Sequence, residues 1–163
     1  MPTRARFHGI TGWGDALAGY HLQLGTLTLK PFAGISMVQH VVAPIDPVSQ
    51  TVGRTVGIKL ALDSWLRLGP AAWLNVDGGW TAVHATAQVK GRLGYRVWRD
   101  LSVGVEASAL SDVNQEMRRA GLFVRYAWER GEVSIGGGVL GRDWQATARS
   151  VQPYAGATYL SRF

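Results

Sequence analysis

The sequence predicts an all-β protein: an antiparallel up-and-down transmembrane β-barrel of about ten strands, with eight or twelve as the neighbouring counts. Three observations predict it. Apolar and polar residues alternate with a period of two along most of the chain. The connections between alternating segments are short and long in turn. Glycine supplies 21 of 163 residues and charged residues only 17%, a mix that disfavours helix and suits strands. No stretch approaches the roughly 18 consecutive apolar residues of a membrane helix. No segment of ten or more residues shows the i, i+3, i+4 spacing of an amphipathic helix.

The strands are expected at 4–11, 15–24, 27–40, 50–66, 71–77, 80–96, 101–110, 118–129, 132–142 and 150–163. The first is weak, and the turn after it, 12–14, is short. Segment 27–40 carries Lys30 on its polar face. In 50–66, Val52, Val56, Ile58, Leu60 and Leu62 oppose Thr51, Thr55, Lys59 and Asp63. Segment 71–77 is short, with Trp73 on its polar side. The clearest alternation is in 80–96, where Val83, Ala85, Ala87, Val89, Leu93 and Tyr95 oppose His84, Thr86, Gln88, Lys90 and Arg92. In 101–110, Leu101, Val103, Val105, Ala107 and Ala109 oppose Ser102, Glu106 and Ser108. In 118–129, Ala120, Leu122, Val124, Tyr126 and Trp128 oppose Arg119, Arg125 and Glu129. The last strand ends with Ala157, Tyr159 and Phe163 on one face.

Such strands suit a soluble lipocalin-like barrel with its apolar face inside, or a membrane barrel with that face outside. Loop lengths favour the membrane barrel, which has short periplasmic turns and longer outer loops. Counting back from Phe163, the periplasmic turns fall at 129–131, 97–100, 67–70 and 25–26. The outer loops fall at 143–149, 111–117, 78–79, 41–49 and 12–14, three of them long. Aromatics gather at the periplasmic ends: Tyr95, Tyr126, Trp128, Tyr159 and Phe163. An interfacial girdle belongs there. Phe163, in phase with Tyr159, resembles the C-terminal signal read by the barrel assembly machinery. The expected location is the outer membrane. The opening Met1-Pro-Thr-Arg-Ala-Arg-Phe has no apolar stretch of a signal peptide. The expectation is a single barrel domain over 1–163, with its signal peptide missing and the number of N-terminal strands left open.

Chemistry-bearing residues are sparse. His8, His21, His40 and His84 lack zinc-ligand spacing, and there is no cysteine, so neither a metal nor a cofactor is expected. Ser102, Ser108, Ser134 and Ser161 are isolated, and no Gly-x-Ser-x-Gly occurs, so no enzyme is expected. The net charge is +6, but the fourteen arginines and three lysines are dispersed, which argues against nucleic acid. The polar faces carry Lys30, Lys59, Asp63, Lys90, Arg92, Glu106, Arg119, Arg125 and Glu129. These would form a paired network in the interior, since buried charges need partners. Arg54, Arg118 and Arg149 break the apolar face at outer strand ends, where guanidinium groups meet lipopolysaccharide phosphates. Trp65, Trp73 and Asn75 lie on inner faces and, with Asp46 in the proline-bearing loop Val41–Ser49, are candidate saccharide contacts.

Several stretches resemble the cellulose biosynthesis protein BcsS family of proteobacteria. They are Leu27-Thr-Leu-Lys-Pro-Phe-Ala-Gly-Ile, His40 with Ala43-Pro-Ile-Asp-Pro, Gly57-Ile-Lys, Gly94-Tyr-Arg, Ser102-Val-Gly-Val-Glu-Ala, Arg119-Ala-Gly-Leu-Phe-Val-Arg-Tyr-Ala-Trp and Pro153-Tyr-Ala. They span about residues 15 to 163 in order. The resemblance implies an outer-membrane barrel serving cellulose or exopolysaccharide production or secretion, with cellulose or its secretion components as partners. It implies no catalytic residues. A small porin or adhesin-like barrel is the alternative, and an outer-membrane lipid-modifying enzyme the second.

Overall fold

The alternation becomes one antiparallel sheet. A computed structural model describes residues 8–43, 53–113, 116–141 and 151–161. Its strands are β1 (His8–Gly19), β2 (Leu22–Leu24), β3 (Leu27–Ala43), β4 (Gly53–Arg67), β5 (Ala72–Thr81), β6 (Thr86–Arg96), β7 (Leu101–Ser111), β8 (Glu116–Trp128), β9 (Gly131–Gly141) and β10 (Gln152–Ser161). A 3-10 turn, Val83–Ala85, precedes β6. Each strand pairs with its sequence neighbour from β3 to β10, and β1 and β2 both pair with β3. The short connections 25–26, 68–71, 97–100 and 129–130 lie at one end of the sheet, and the turn 82–85 lies at the other, where β3, β7 and β9 end and β4, β8 and β10 begin.

Side chains meet across the concave face, so the sheet curls into a barrel-like wall. Arg125 of β8 lies over Trp65 of β4, with the guanidinium carbon 5.0 Å from the ring centre. Tyr154 of β10 donates to Glu106 of β7 at 2.9 Å. Lys59 of β4 pairs with Asp15 of β1. Among the described residues no ladder joins β1 to β10.

Two turns differ from the sequence expectation. Gly12 and Gly14 make no turn: they lie in β1, opposite Gln39 and Met37. The segments expected at 4–11 and 15–24 are therefore one continuous run from His8. Its only interruption is at Tyr20–His21, and the register continues across it, with Gly19 opposite Phe32 and Leu22 opposite Leu29. Pro31 explains the interruption. Its carbonyl accepts from the Tyr20 amide at 3.0 Å, but proline has no N–H to return the bond.

Gly78 and Gly79 also stay extended, inside β5, opposite Leu62 and Ala61. The chain reverses instead at 82–85, where His84 and Ala85 adopt φ of 53° and 46°. Val83, Ala85 and His84 thus leave the strand alternation expected of 80–96. Val83 is tucked inside, 1% exposed. A Cβ on Gly57 would lie 3.0 Å from its Cγ2, so the glycine leaves the room that Val83 fills.

The two faces have opposite chemistry. Apolar side chains point outward and are exposed, among them Ile58 at 61%, Leu122 at 67% and Ile135 at 63%. Among the described residues the buried hydrophobic side chains are only Trp73, Val83 and Phe123. Most charged residues of β3 to β9 turn inward, among them Lys30, Asp63, Asp77, Lys90, Arg92, Glu106, Arg125 and Glu132. The protein is apolar outside and polar inside, the reverse of a soluble domain.

Candidate functional site

Register decides which charges meet. Lys30, Asp63, Asp77 and Lys90 stand opposite one another on β3, β4, β5 and β6. The next inward row towards the short turns is Trp65, Asn75, Arg92 and Glu106. Lys30 Nζ lies 3.3 Å from Asp63 Oδ2, and Lys90 Nζ lies 2.8 Å from Glu106 Oε2. Asn75 is 2% exposed and sits at the centre of this network. Its Nδ2 donates to Asp63 Oδ1 at 2.9 Å and to Asp77 Oδ1 at 2.8 Å, and its Oδ1 accepts from Arg92 Nε at 3.0 Å. Arg92 also lies 3.7 Å from Asp77. Each charge removed from water thus has an opposite partner, which is the condition for keeping it inside.

Nearer the short turns one side of the interior is occupied by rings. Trp65 and Trp73 stack at 4.3 Å with an 18° interplanar angle. Phe123 lies 5.7 Å from Trp73, and Trp73 Nε1 donates to Ser102 Oγ at 3.4 Å. Arg125 reaches over both indoles and pairs with Glu132. This packing needs missing side chains. A Cβ on Gly94 would lie 2.3 Å from the Trp73 ring, and one on Gly104 would lie 2.8 Å from Phe123 Cζ.

Two cavities remain inside. One, of about 570 Å³, is lined by Lys59, Lys90, Gln88, Ser108 and Arg119. The other, of about 750 Å³, lies nearer the short turns beside Trp65. Among the described residues no group of three or more His, Asp or Glu side chains is placed to hold a metal ion.

The sequence candidates fall into place as follows. Lys30, Lys59, Asp63, Lys90, Arg92, Glu106 and Arg125 all join interior ion pairs. Arg119 stacks over Tyr154 at 5.7 Å. Glu129 lies in the exposed turn after β8, outside that network, and Glu132 is the partner of Arg125. Asp15, Asp77, Glu132 and Tyr154 are interior partners that sequence reading missed. Asp77 shares the phase of Trp73 and Asn75, and reading β5 through its glycines would have found it.

A model of the family described as cellulose biosynthesis protein BcsS matches residues 2–163, nearly the whole chain. The chain belongs to the BcsS family. Membership carries a role in cellulose biosynthesis. No curated protein and no solved structure matches the chain.

The outer face of this BcsS-family chain is ordered in bands. At the short-turn end, Tyr126 and Trp128 lie 6.0 Å apart, and Trp128 and Tyr159 6.1 Å. Tyr95 stands on the same band, and the exposed Tyr20 and Trp98 extend it. At the opposite end, Arg54 is exposed on the outward face, and Arg118 pairs with Glu116 at 2.8 Å. Arg149, Asp46 and Phe163 lie outside the described residues.

Proposed function

We propose that this BcsS-family protein is a non-catalytic accessory of cellulose production, spanning the outer membrane as a β-barrel. One observation carries the reading: side chains such as Ile58, Leu122 and Ile135 are exposed outward while the ion pairs lie inside. Membrane barrels need that distribution, because lipid solvates the outer apolar face. The aromatic band from Tyr95 to Tyr159 then lies at the periplasmic interface, and the opposite end of the sheet lies at the outer one. The exposed Arg54 at the outer rim meets lipopolysaccharide phosphates. Arg118 does so only by leaving Glu116.

An accessory role fits better than conduction. The stacked Trp65 and Trp73 with Arg125 narrow the interior near one end, and Val83 takes up space near the other. Among the described residues these side chains narrow the interior, which disfavours passage of a polymer. Deleting the gene in a cellulose-producing host should lower secreted or surface-attached cellulose while synthase activity in isolated inner membranes stays unchanged. Wild-type cellulose in the deletion strain would remove the accessory role and promote a generic small barrel. Membrane residence has its own check. In detergent the folded chain should run on a gel differently before and after boiling, whereas a monomer folded without detergent would contradict the barrel placement.

A further inference from the structure

We propose that the 750 Å³ cavity beside Trp65 binds the end of a β-linked glucan chain, entering from the short-turn side. The proposal rests on the cellulose reading above and adds a ligand and a location to it.

The size falls within the range of small-molecule sites, roughly 300–1,000 Å³. The chemistry of the walls selects a neutral polyol. Four cations line the cavity, and three of them, Lys30, Arg92 and Arg125, are each matched by a carboxylate: Asp63, Asp77 and Glu132. The fourth, Arg96, is exposed to solvent, which screens its charge. Balanced pairs give little net pull on an anion. They do offer donors and acceptors side by side, which suits hydroxyl groups that both donate and accept. An acyl chain would leave these groups without water, at a cost of several kcal/mol.

Trp65 supplies the apolar wall. Its stack on Trp73 and the Arg125 guanidinium hold the indole in place, so little rotamer entropy is lost on binding. A β-linked glucan is a flat ribbon with C–H groups on its faces and hydroxyls along its edges. One face lies against Trp65, while the edges meet Thr28 of β3, Gln23 of β2 and Thr158 of β10. The connections at this end have only two to four residues, as at 25–26 and 129–130, so among the described residues no long segment covers the mouth.

The test uses the full chain refolded in detergent, with cellotetraose as the probe and maltotetraose as the bent, α-linked control. Binding is followed by tryptophan fluorescence and calorimetry. Cellotetraose should bind saturably and at least about tenfold more tightly than maltotetraose. Leu160→Trp, on β10 across the cavity, should fill the space and weaken cellotetraose about tenfold or more, with the gel shift on boiling retained. Gln23→Trp, on the short β2, fills the same cavity from another strand and serves if the first variant fails to fold. No saturable cellotetraose response, equal affinity for maltotetraose, or unaltered affinity in a folded cavity-filling variant overturns the site. Lost cellulose on gene deletion together with no binding would leave the accessory role standing and remove only the pocket.

Discussion

Gly94→Val should lower the stability of the folded protein by about 1–3 kcal/mol or more, a large share of the margin of a small barrel. A Cβ at this position would lie 2.3 Å from Cε2 and Cζ2 of Trp73. The indole has nowhere to retreat. It is 3% exposed, stacked on Trp65, flanked by Phe123 and hydrogen-bonded to Ser102. The added methyl groups must therefore push β6 away or expel the ring. Gly91→Ala is the internal control: it lies three residues away on β6, and nothing stands within 4 Å of its Cβ. The urea midpoint of the folded form in detergent should fall for Gly94→Val and stay near wild type for Gly91→Ala. Matching midpoints for both would mean that Trp73 is free to move.

Arg125→Leu should cost about 3–5 kcal/mol, the penalty for stripping one partner from a buried pair. The side chains of Arg125 and Glu132 are 12% and 15% exposed, so water reaches neither freely. The same substitution removes the cation over Trp65 and Trp73. Arg125→Lys separates the two contributions. It keeps the charge near Glu132 but loses the planar group that lies over the rings. Its cost should fall between wild type and leucine. Combining Arg125→Leu with Glu132→Leu should recover part of the loss, since no carboxylate is then left inside. A double variant no better than Arg125→Leu alone would show that the rings, and not the ion pair, dominate.

The regions read most accurately from sequence were β6 from Thr86 onward, β7, β8 and β9. There a clean period of two meets unambiguous turns such as Glu129-Arg130. The errors cluster at glycine. Gly12, Gly14, Gly78 and Gly79 read as turns because glycine tolerates both turn and extended backbone, and only cross-strand neighbours distinguish them. Cutting β5 at Gly78 hid how the pairs form. Asp77 meets Asn75 and Arg92 only when β5 reaches Thr81 and fixes the register against β6. The glycines that make room for the rings, Gly94 and Gly104, could not be recognised either. Their neighbours are Trp73 and Phe123, about twenty residues distant in sequence, and alternation gives a face but no partner. The charged interior faces were legible residue by residue; the pairings were not, because a register shift of one residue changes every partner.

The joining of β1 and β2 into a single run has a consequence for direction. A walk from that run across β3 to β10 reverses at every step and takes eight steps among the described strands. Eight reversals restore the starting sense, so both outermost strands run from the end that holds the turn 82–85 towards the short turns. Hydrogen bonds made directly between these two edges would be parallel, slanted and evenly spaced, unlike every other ladder in the sheet. A strand running the opposite way between them would instead make antiparallel bonds on both sides. The chain's own parity thus gives this one line on the wall a chemistry of its own, and amide exchange along β1 and β10 would report which of the two arrangements holds.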